Sequence, residues 1–257
     1  HKKELVFGTS KGISVYNGIN FKNYDTKNGF SNSWIFSVLQ DGDKTWIGTQ
    51  EGVYILQSEK IRRFSFDKIL DKAAVFTLFM DSKKQIWFGT INDGAICFNQ
   101  KDNSFKHFTE ANGLQKNFIF SFGENNKNEI YVGTQAGLSI IDNNFKVKNG
   151  TFFPRQENIA FRSMLVKPNS NIEWHGTSSD GTYKFENNTY IIYRLNNGLT
   201  YNSAMCIFSD RENNIWIGTD GSGVYKHTND IITYYSKQNG LPENYVNAVV
   251  QDTKGVY

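Results

Sequence analysis

Apolar residues along this chain come in short runs of about five, separated by turns rich in Gly, Asn and Asp. Runs of that length are strand-sized, and the chain has no amphipathic stretch of the roughly 10–15 residues that a packed helix needs. Inside a run the positions are nearly all apolar instead of alternating, as expected of strands covered on both faces. Aromatic and β-branched residues fill these positions, and Gly and Asn serve the turns. The pattern predicts an all-β protein.

The runs repeat. Gly-Thr recurs at Gly8, Gly48, Gly89, Gly133, Gly176 and Gly218, at intervals of 40 to 44 residues. An apolar or aromatic pair precedes it in Val6-Phe7, Trp46-Ile47, Trp87-Phe88, Tyr131-Val132 and Trp216-Ile217, whereas the fifth unit has Trp174-His175. A turn with Gly and a second apolar run follow, as in Gly52-Val53-Tyr54-Ile55 and Gly223-Val224-Tyr225. Upstream stands a turn residue: Asp41, Asp81, Asp210 and Asp252, with Asn125 and Pro168 in the equivalent places. Each unit thus reads as four strands. Strand A covers 35–39 and its equivalents, strand B carries Gly-Thr, strand C follows the Gly turn, and strand D is a Tyr/Phe-rich stretch such as 105–108 or 231–235. Four strands per roughly 40–45 residues is the signature of a β-propeller blade. A single blade is apolar on both faces and cannot hide either alone, so blades must stack. The strand-B Gly is expected to admit a close neighbour.

Residues 1–257 therefore read as one β-propeller domain or a propeller fragment of four-stranded antiparallel blades, six repeats in all. The chain opens on strand B and closes on a strand A and the start of another B. Either it forms a closed six-blade ring or it is a piece of a longer array, and the stop at Tyr257, just before the next expected Gly-Thr, favours the second. Open ends would expose strand edges, which invites dimerisation.

Composition narrows the function. The 28 basic and 25 acidic residues give a formal net charge of +3, spread without a dense Lys/Arg run, so nucleic acid is not an expected partner. No apolar run approaches the ~20 residues that span a bilayer. Nor is there a signal-peptide apolar region. Cys97 falls on a strand C and Cys206 on a strand A, so both are expected to be buried thiols and not a disulfide. The four histidines, His1, His107, His175 and His227, have no metal-ligand spacing. His107 and His227 are placed on strand D or its approach, facing solvent. Nucleophile elbows, phosphate loops and Cys-x-x-Cys are absent. No catalytic residue, metal or cofactor is expected.

A further pattern carries a family resemblance. Asn-Gly-apolar recurs at Asn28-Gly29-Phe30, Asn112-Gly113-Leu114, Asn197-Gly198-Leu199 and Asn239-Gly240-Leu241. Asn202 follows the third, and Asn244-Tyr245-Val246 the fourth. With Asp210 and Ile215-Trp216-Ile217-Gly218-Thr219 completing the unit, the pattern resembles the two-component regulator propeller repeat, and the resemblance covers essentially the whole chain. It implies the extracytoplasmic, periplasmic sensor part of a hybrid two-component histidine kinase. Such a part recognises a small molecule or oligosaccharide and passes the signal to receptor modules downstream. Those modules are absent from this chain, which holds six units where such propellers usually have seven. A lyase of the streptogramin-lyase kind, which also uses propeller repeats, is the enzyme alternative, and a scaffold for protein partners is a third reading.

Two sets of residues are candidates for binding. Trp46, Trp87, Trp174 and Trp216 hold the repeated strand-B position and are expected in the core. Trp34 instead stands at the entry to strand A, with Phe118 and Tyr245 in the same register and Tyr201 in another such loop. The loops before strand A and between B and C should emerge on one face, where aromatics can stack on sugar rings. The second set is the fifth hairpin. Aligning strand A puts Arg162 where other units have Ile35, Val75, Ile119, Ala204 and Val246. On strand B, Glu173 replaces Ile86, Ile130 and Ile215, and His175 replaces Ile47, Phe88, Val132 and Ile217. Charges there must be paired. The expectation is an Arg162–Glu173 pair with His175 nearby, forming an internal polar network or a ligand contact.

Overall fold

The computed structural model describes residues 4–31, 34–65, 68–149, 158–167, 170–187, 189–194, 199, 203–228 and 231–251. These form 23 strands and three one-turn 3-10 segments. The first sheet holds β1 (Leu5–Thr9), β2 (Gly12–Tyr16) and β3 (Phe21–Tyr24). The second holds β4 (Ile35–Asp41), β5 (Lys44–Thr49), β6 (Gly52–Gln57) and β7 (Lys60–Phe64). The third holds β8 (Val75–Met80), β9 (Ile86–Thr90), β10 (Ala95–Asn99) and β11 (Ser104–Phe108). The fourth holds β12 (Ile119–Glu124), β13 (Ile130–Thr134), β14 (Gly137–Ile141) and β15 (Val147–Lys148). The fifth holds β16 (Phe161–Val166), β17 (Ile172–Thr177), β18 (Thr182–Glu186) and β19 (Thr189–Tyr193). The sixth holds β20 (Ala204–Ser209), β21 (Ile215–Thr219), β22 (Val224–Thr228) and β23 (Ile231–Tyr235). Strands in each sheet are ordered as in sequence, and the chain divides into two compact units, His1–Phe122 and Gly123–Tyr257.

The Gly-Thr pair does two jobs. Its Thr hydroxyl donates to the carbonyl of the Gly that opens strand C, as in Thr49 Oγ1 to Gly52 O at 2.9 Å and Thr219 Oγ1 to Gly223 O at 2.9 Å. The same oxygen accepts a backbone N–H inside the turn, from Glu51 and from Ser222 at 3.0 Å each. The buried carbonyl of that Gly is thereby satisfied within the turn. Its Gly lies against strand A of the following sheet. A Cβ on Gly48 would meet Val75 O at 2.7 Å and one on Gly89 would meet Ile119 Cγ2 at 2.9 Å, while one on Gly218 would meet Val246 Cγ1 at 2.9 Å beyond the sixth sheet. Only a residue without a side chain lets two sheets come that near.

Strand A is bulged in the second, third, fifth and sixth sheets. Ile35 pairs with Thr49 but Ser37 with Gly48, and the same skip occurs at Val75/Thr77, Phe161/Ser163 and Ala204/Cys206. The residue that meets the preceding sheet's Gly is thus Ile35, Val75 or Ala204, and in the fifth sheet Phe161 holds that register. The one after it, Phe36, Phe76, Arg162 or Met205, is the extra residue of the bulge. The sequence alignment of Arg162 with Ile35 is corrected by one residue.

The Asp before strand B is a buried hub. Asp210 Oδ1 accepts Asn214 N at 2.7 Å, while Oδ2 accepts Asn214 Nδ2 at 2.7 Å and the Trp216 indole N–H at 2.8 Å. Asp81 does the same for Gln85 N and for Trp87 Nε1, at 2.8 and 2.9 Å. The second sheet departs: its turn is one residue shorter, Trp46 Nε1 has no hydrogen-bond partner among the described residues, and Asp41 Oδ2 accepts from Gln100 at 3.1 Å. The Asn-Gly motif is equally structural. Asn28, Asn112 and Asn239 accept the backbone N–H of Asp25, Thr109 and Ser236, and each following Gly turns the chain with φ between 110° and 116°. Of the apolar residues that come next, Phe30 and Leu114 are buried and Leu241 is half-buried. Trp46, Trp87, Trp174 and Trp216 are all core residues.

Asp210→Ala would strand three buried donors and should cost about 2–4 kcal/mol by urea denaturation, at about 1–3 kcal/mol per abandoned group with partial relaxation. Asp41→Ala, which serves no indole, should cost under about 1 kcal/mol. Burial also pushes the thiols up, Cys97 to about 12 and Cys206 to about 11. Both are therefore protonated at pH 8, and a thiol reagent should leave both unlabelled in the native protein and label both in urea.

Candidate functional site

The loops before strand A and the B–C turns share one end of each sheet, as expected. Backbone bonds join them: Gln50 N to Trp34 O at 3.2 Å, Ile91 N to Ala74 O at 2.9 Å and Ser178 N to Ala160 O at 2.9 Å. Trp34 is 52% exposed and Tyr245 48%. Tyr245 pairs with Asp220 in an isolated antiparallel bridge. Tyr201 lies outside the described residues.

Within the first unit these loops lead into a continuous aromatic series. Trp34 lies 6.5 Å from Phe36, and Phe36 5.7 Å from Phe76, centroid to centroid. Phe76 meets Phe118 edge-on at 5.4 Å and Phe120 edge-on at 5.5 Å, and Phe118 stacks on Phe120 at 4.2 Å. Trp34 and Phe118, proposed from sequence as separate loop residues, therefore belong to one surface. Phe36 and Phe76, which complete it, are the bulge residues of strand A. Sequence reasoning missed them because a strand without a bulge would turn them the other way. All four phenylalanines are only half-buried, so the series is a partly open, rigid apolar surface. Offset and edge-on ring packing at these distances fixes the rings against one another. Chemically, such a surface can stack against flat apolar faces.

The fifth hairpin is different in kind. Glu173 takes the His175 Nε2 at 3.1 Å on one oxygen and the Tyr131 hydroxyl at 3.3 Å on the other. His175 is 0% exposed and packs edge-on against Tyr131 at 5.5 Å. Burial raises the Tyr131 pKa, and the Glu173 charge adds to this, so the phenol stays a donor. Arg162 is not part of the group. As the bulge residue it points elsewhere, and its Nη1 donates to Met205 Sδ at 3.1 Å. The expected Arg162–Glu173 pair is replaced by a Tyr131–Glu173–His175 group that joins β13 to β17. Within it His175 is buried, and Tyr131 and Glu173 are half-buried.

His227 is also corrected. It lies on β22, a strand C, and is buried, with Nε2 3.1 Å from the Tyr193 hydroxyl. His107 does lie on strand D, half-buried, with Nε2 2.5 Å from Asp93 O. Among the described residues no group of three or more His, Cys, Asp or Glu is placed to hold a metal ion.

Comparison with known proteins adds to this geometry. Residues 198–221 match the family described as "Two component regulator propeller". The chain is 28% identical to "Histidine kinase P4" of Formosa agariphila, over 83% of this chain and 17% of that protein. It superposes on the extracellular domain of a putative hybrid two-component system from B. thetaiotaomicron with a TM-score of 0.80 and 21% identity, covering 99% of this chain and 35% of that one. It also superposes on a streptogramin B lyase with a TM-score of 0.74 and 13% identity, covering 94% of this chain and 80% of that one. At these identities the superpositions establish the fold, a β-propeller architecture. The chain spans about a sixth of the length of the histidine kinase it matches.

Glu173→Ala should destabilise the protein by about 2–3 kcal/mol, because it leaves two buried donors without an acceptor. Glu173→Gln, which keeps the volume and one of the two acceptor oxygens, should cost less. Equal and negligible losses in urea melts of the two variants would show that the group does not hold β13 to β17.

Proposed function

We propose that this chain, which carries the two-component regulator propeller repeat, is the ligand-recognition part of an extracytoplasmic sensor, and that it takes a carbohydrate. The observation that carries the reading is the series Trp34, Phe36, Phe76, Phe118 and Phe120. Five rings fixed against one another, with an exposed indole at one end, suit the flat apolar faces of sugar rings. They cost little side-chain entropy on binding because packing has already ordered them. Similarity to a histidine kinase and to the extracellular domain of a hybrid two-component system supports a sensing context. Signalling would be conformational. A ligand with different affinity for two receptor states shifts their balance, and its modules downstream would read that shift. Such a domain needs binding geometry and no reacting groups.

The reading is tested by thermal shift with cello-, xylo- and laminari-oligosaccharides. A binder stabilises the fold by about 2.7 kcal/mol at a hundredfold excess over its dissociation constant, and so raises the melting midpoint with concentration. Trp34→Ala should weaken that binding roughly 30-fold, the loss of about 2 kcal/mol expected for an aromatic anchor. Chromatography should recover the glycan unchanged. A consumed glycan, or an unaltered response in Trp34→Ala, would overturn the reading.

A further inference from the structure

A second feature stands apart from the aromatic series. Between the fifth and sixth sheets lies a cavity of about 620 Å³. That is within the roughly 300–1,000 Å³ of small-molecule clefts. It opens at the A–B hairpin turns, the opposite strand ends from the Gly-Thr turns, with Lys167 and Ser170 on one side and Glu212 and Asn213 on the other. Trp174, Lys184 and His227 line it more deeply.

The cavity comes from specific substitutions within the repeat. At the equivalent interface between the second and third sheets, Trp46, Ile55 and Phe64 pack against Phe98, with Phe105 behind it. Trp46 lies edge-on to Phe98 at 6.1 Å, and Phe98 stacks on Phe105 at 4.7 Å. The pairing registers give the counterparts. Ile55, opposite Trp46, becomes Lys184, opposite Trp174. Phe98, opposite Ile86, becomes His227, opposite Ile215. Phe105 becomes Ile232. An apolar plug has been exchanged for a smaller, polar lining.

The lining has a definite charge character. Lys184 is only 12% exposed, sits 5.8 Å above the Trp174 ring and pairs with Glu186 at 3.0 Å. The Lys167 ammonium donates to a neutral acceptor, Asn213 Oδ1, at 2.9 Å, and makes no ion pair among the described residues. One lining carboxylate, Glu212, accepts from Gln251 at 3.2 Å. Glu186 already offsets Lys184 and Gln251 engages Glu212, which leaves the Lys167 ammonium, bonded to a neutral acceptor, as the group that favours an anion. The Asn213 amide and the Ser170 and Thr228 hydroxyls add polar contacts of the kind that hydroxyl groups need.

We propose that this cavity is a separate binding site for a small acidic sugar, one or two rings in size, whose carboxylate is held by Lys167 and Lys184. The proposal rests on the unit's own packing and not on the aromatic series. Ammonium–carboxylate hydrogen bonds are stronger than neutral ones, so the acidic group would supply selectivity over neutral sugars.

The test is calorimetric titration of the protein with sodium glucuronate, glucose and sodium sulfate at constant ionic strength. Glucuronate should bind at least tenfold more tightly than either of the others. Lys167→Ala, at an exposed strand end, should weaken it about tenfold, the loss of one charge-assisted bond. Lys184→Gln keeps most of the stem over Trp174 and should weaken it similarly, with the melting temperature in both variants reporting that the fold is intact. Trp34→Ala should leave glucuronate binding unchanged, which separates this site from the aromatic one. Equal affinity for glucuronate and glucose overturns the proposal, as does sulfate binding as tightly as glucuronate, or Lys167→Ala and Lys184→Gln that both bind like the parent.

Discussion

The approach of one sheet to the next across a strand-B position with no side chain is the constraint on which the rest depends. Each sheet is apolar on both faces, so its stability comes from its neighbours. The strand-B Gly sets the spacing, and Val75 over Gly48 and Val246 over Gly218 show how little room is left. The turns that flank this spacing follow a fixed pattern too. Their polar groups are closed by side chains at set positions: the Thr after the Gly, the Asp before strand B, and the Asn of the Asn-Gly turn. The repeated motif residues are thus the ones that stacking makes obligatory.

Positions outside this frame are free to differ, and the chemistry lies there. The strand-A bulge turns one residue per sheet out of the stacking pattern. The first unit uses it for Phe36 and Phe76, and the second unit for Arg162 and Met205. The strand-C position opposite the core Trp is Ile55 in one sheet and Lys184 in another. These substitutions change a surface or open a cavity while the glycine contacts stay in place. The Tyr131–Glu173–His175 group is a third kind of variation, polar residues placed inside the stack and paired there.

Most of the fold was legible in the sequence, because the frame repeats and the repeats are visible by eye. Six Gly-Thr pairs fixed strand B, and the tryptophans preceding them were correctly read as core. The site was less legible for two physical reasons. A bulge inserts one residue without changing composition, so Arg162 was aligned with Ile35 when Phe161 holds that register, and Phe36 and Phe76 went unnoticed. A β-strand's facing alternates every residue, so a one-residue slip reverses every conclusion about contact. His227 was placed on strand D and in solvent because the end of strand C carries no distinctive residue. Trp34 and Phe118 could be placed at the entry to strand A because that register precedes the bulge.

The central claim is that the aromatic series of the first unit is where a glycan is recognised. Hydroxyl-radical footprinting reads it directly, since it reports the solvent access of individual aromatic side chains. With saturating cello-, xylo- or laminari-oligosaccharide, the account predicts that Trp34, Phe36, Phe76 and Phe118 become protected together, with Trp46 and Trp87 unchanged in their core positions and the glycan recovered intact. Protection confined to other surfaces by a glycan that binds, with Trp34 as reactive as before, would contradict it.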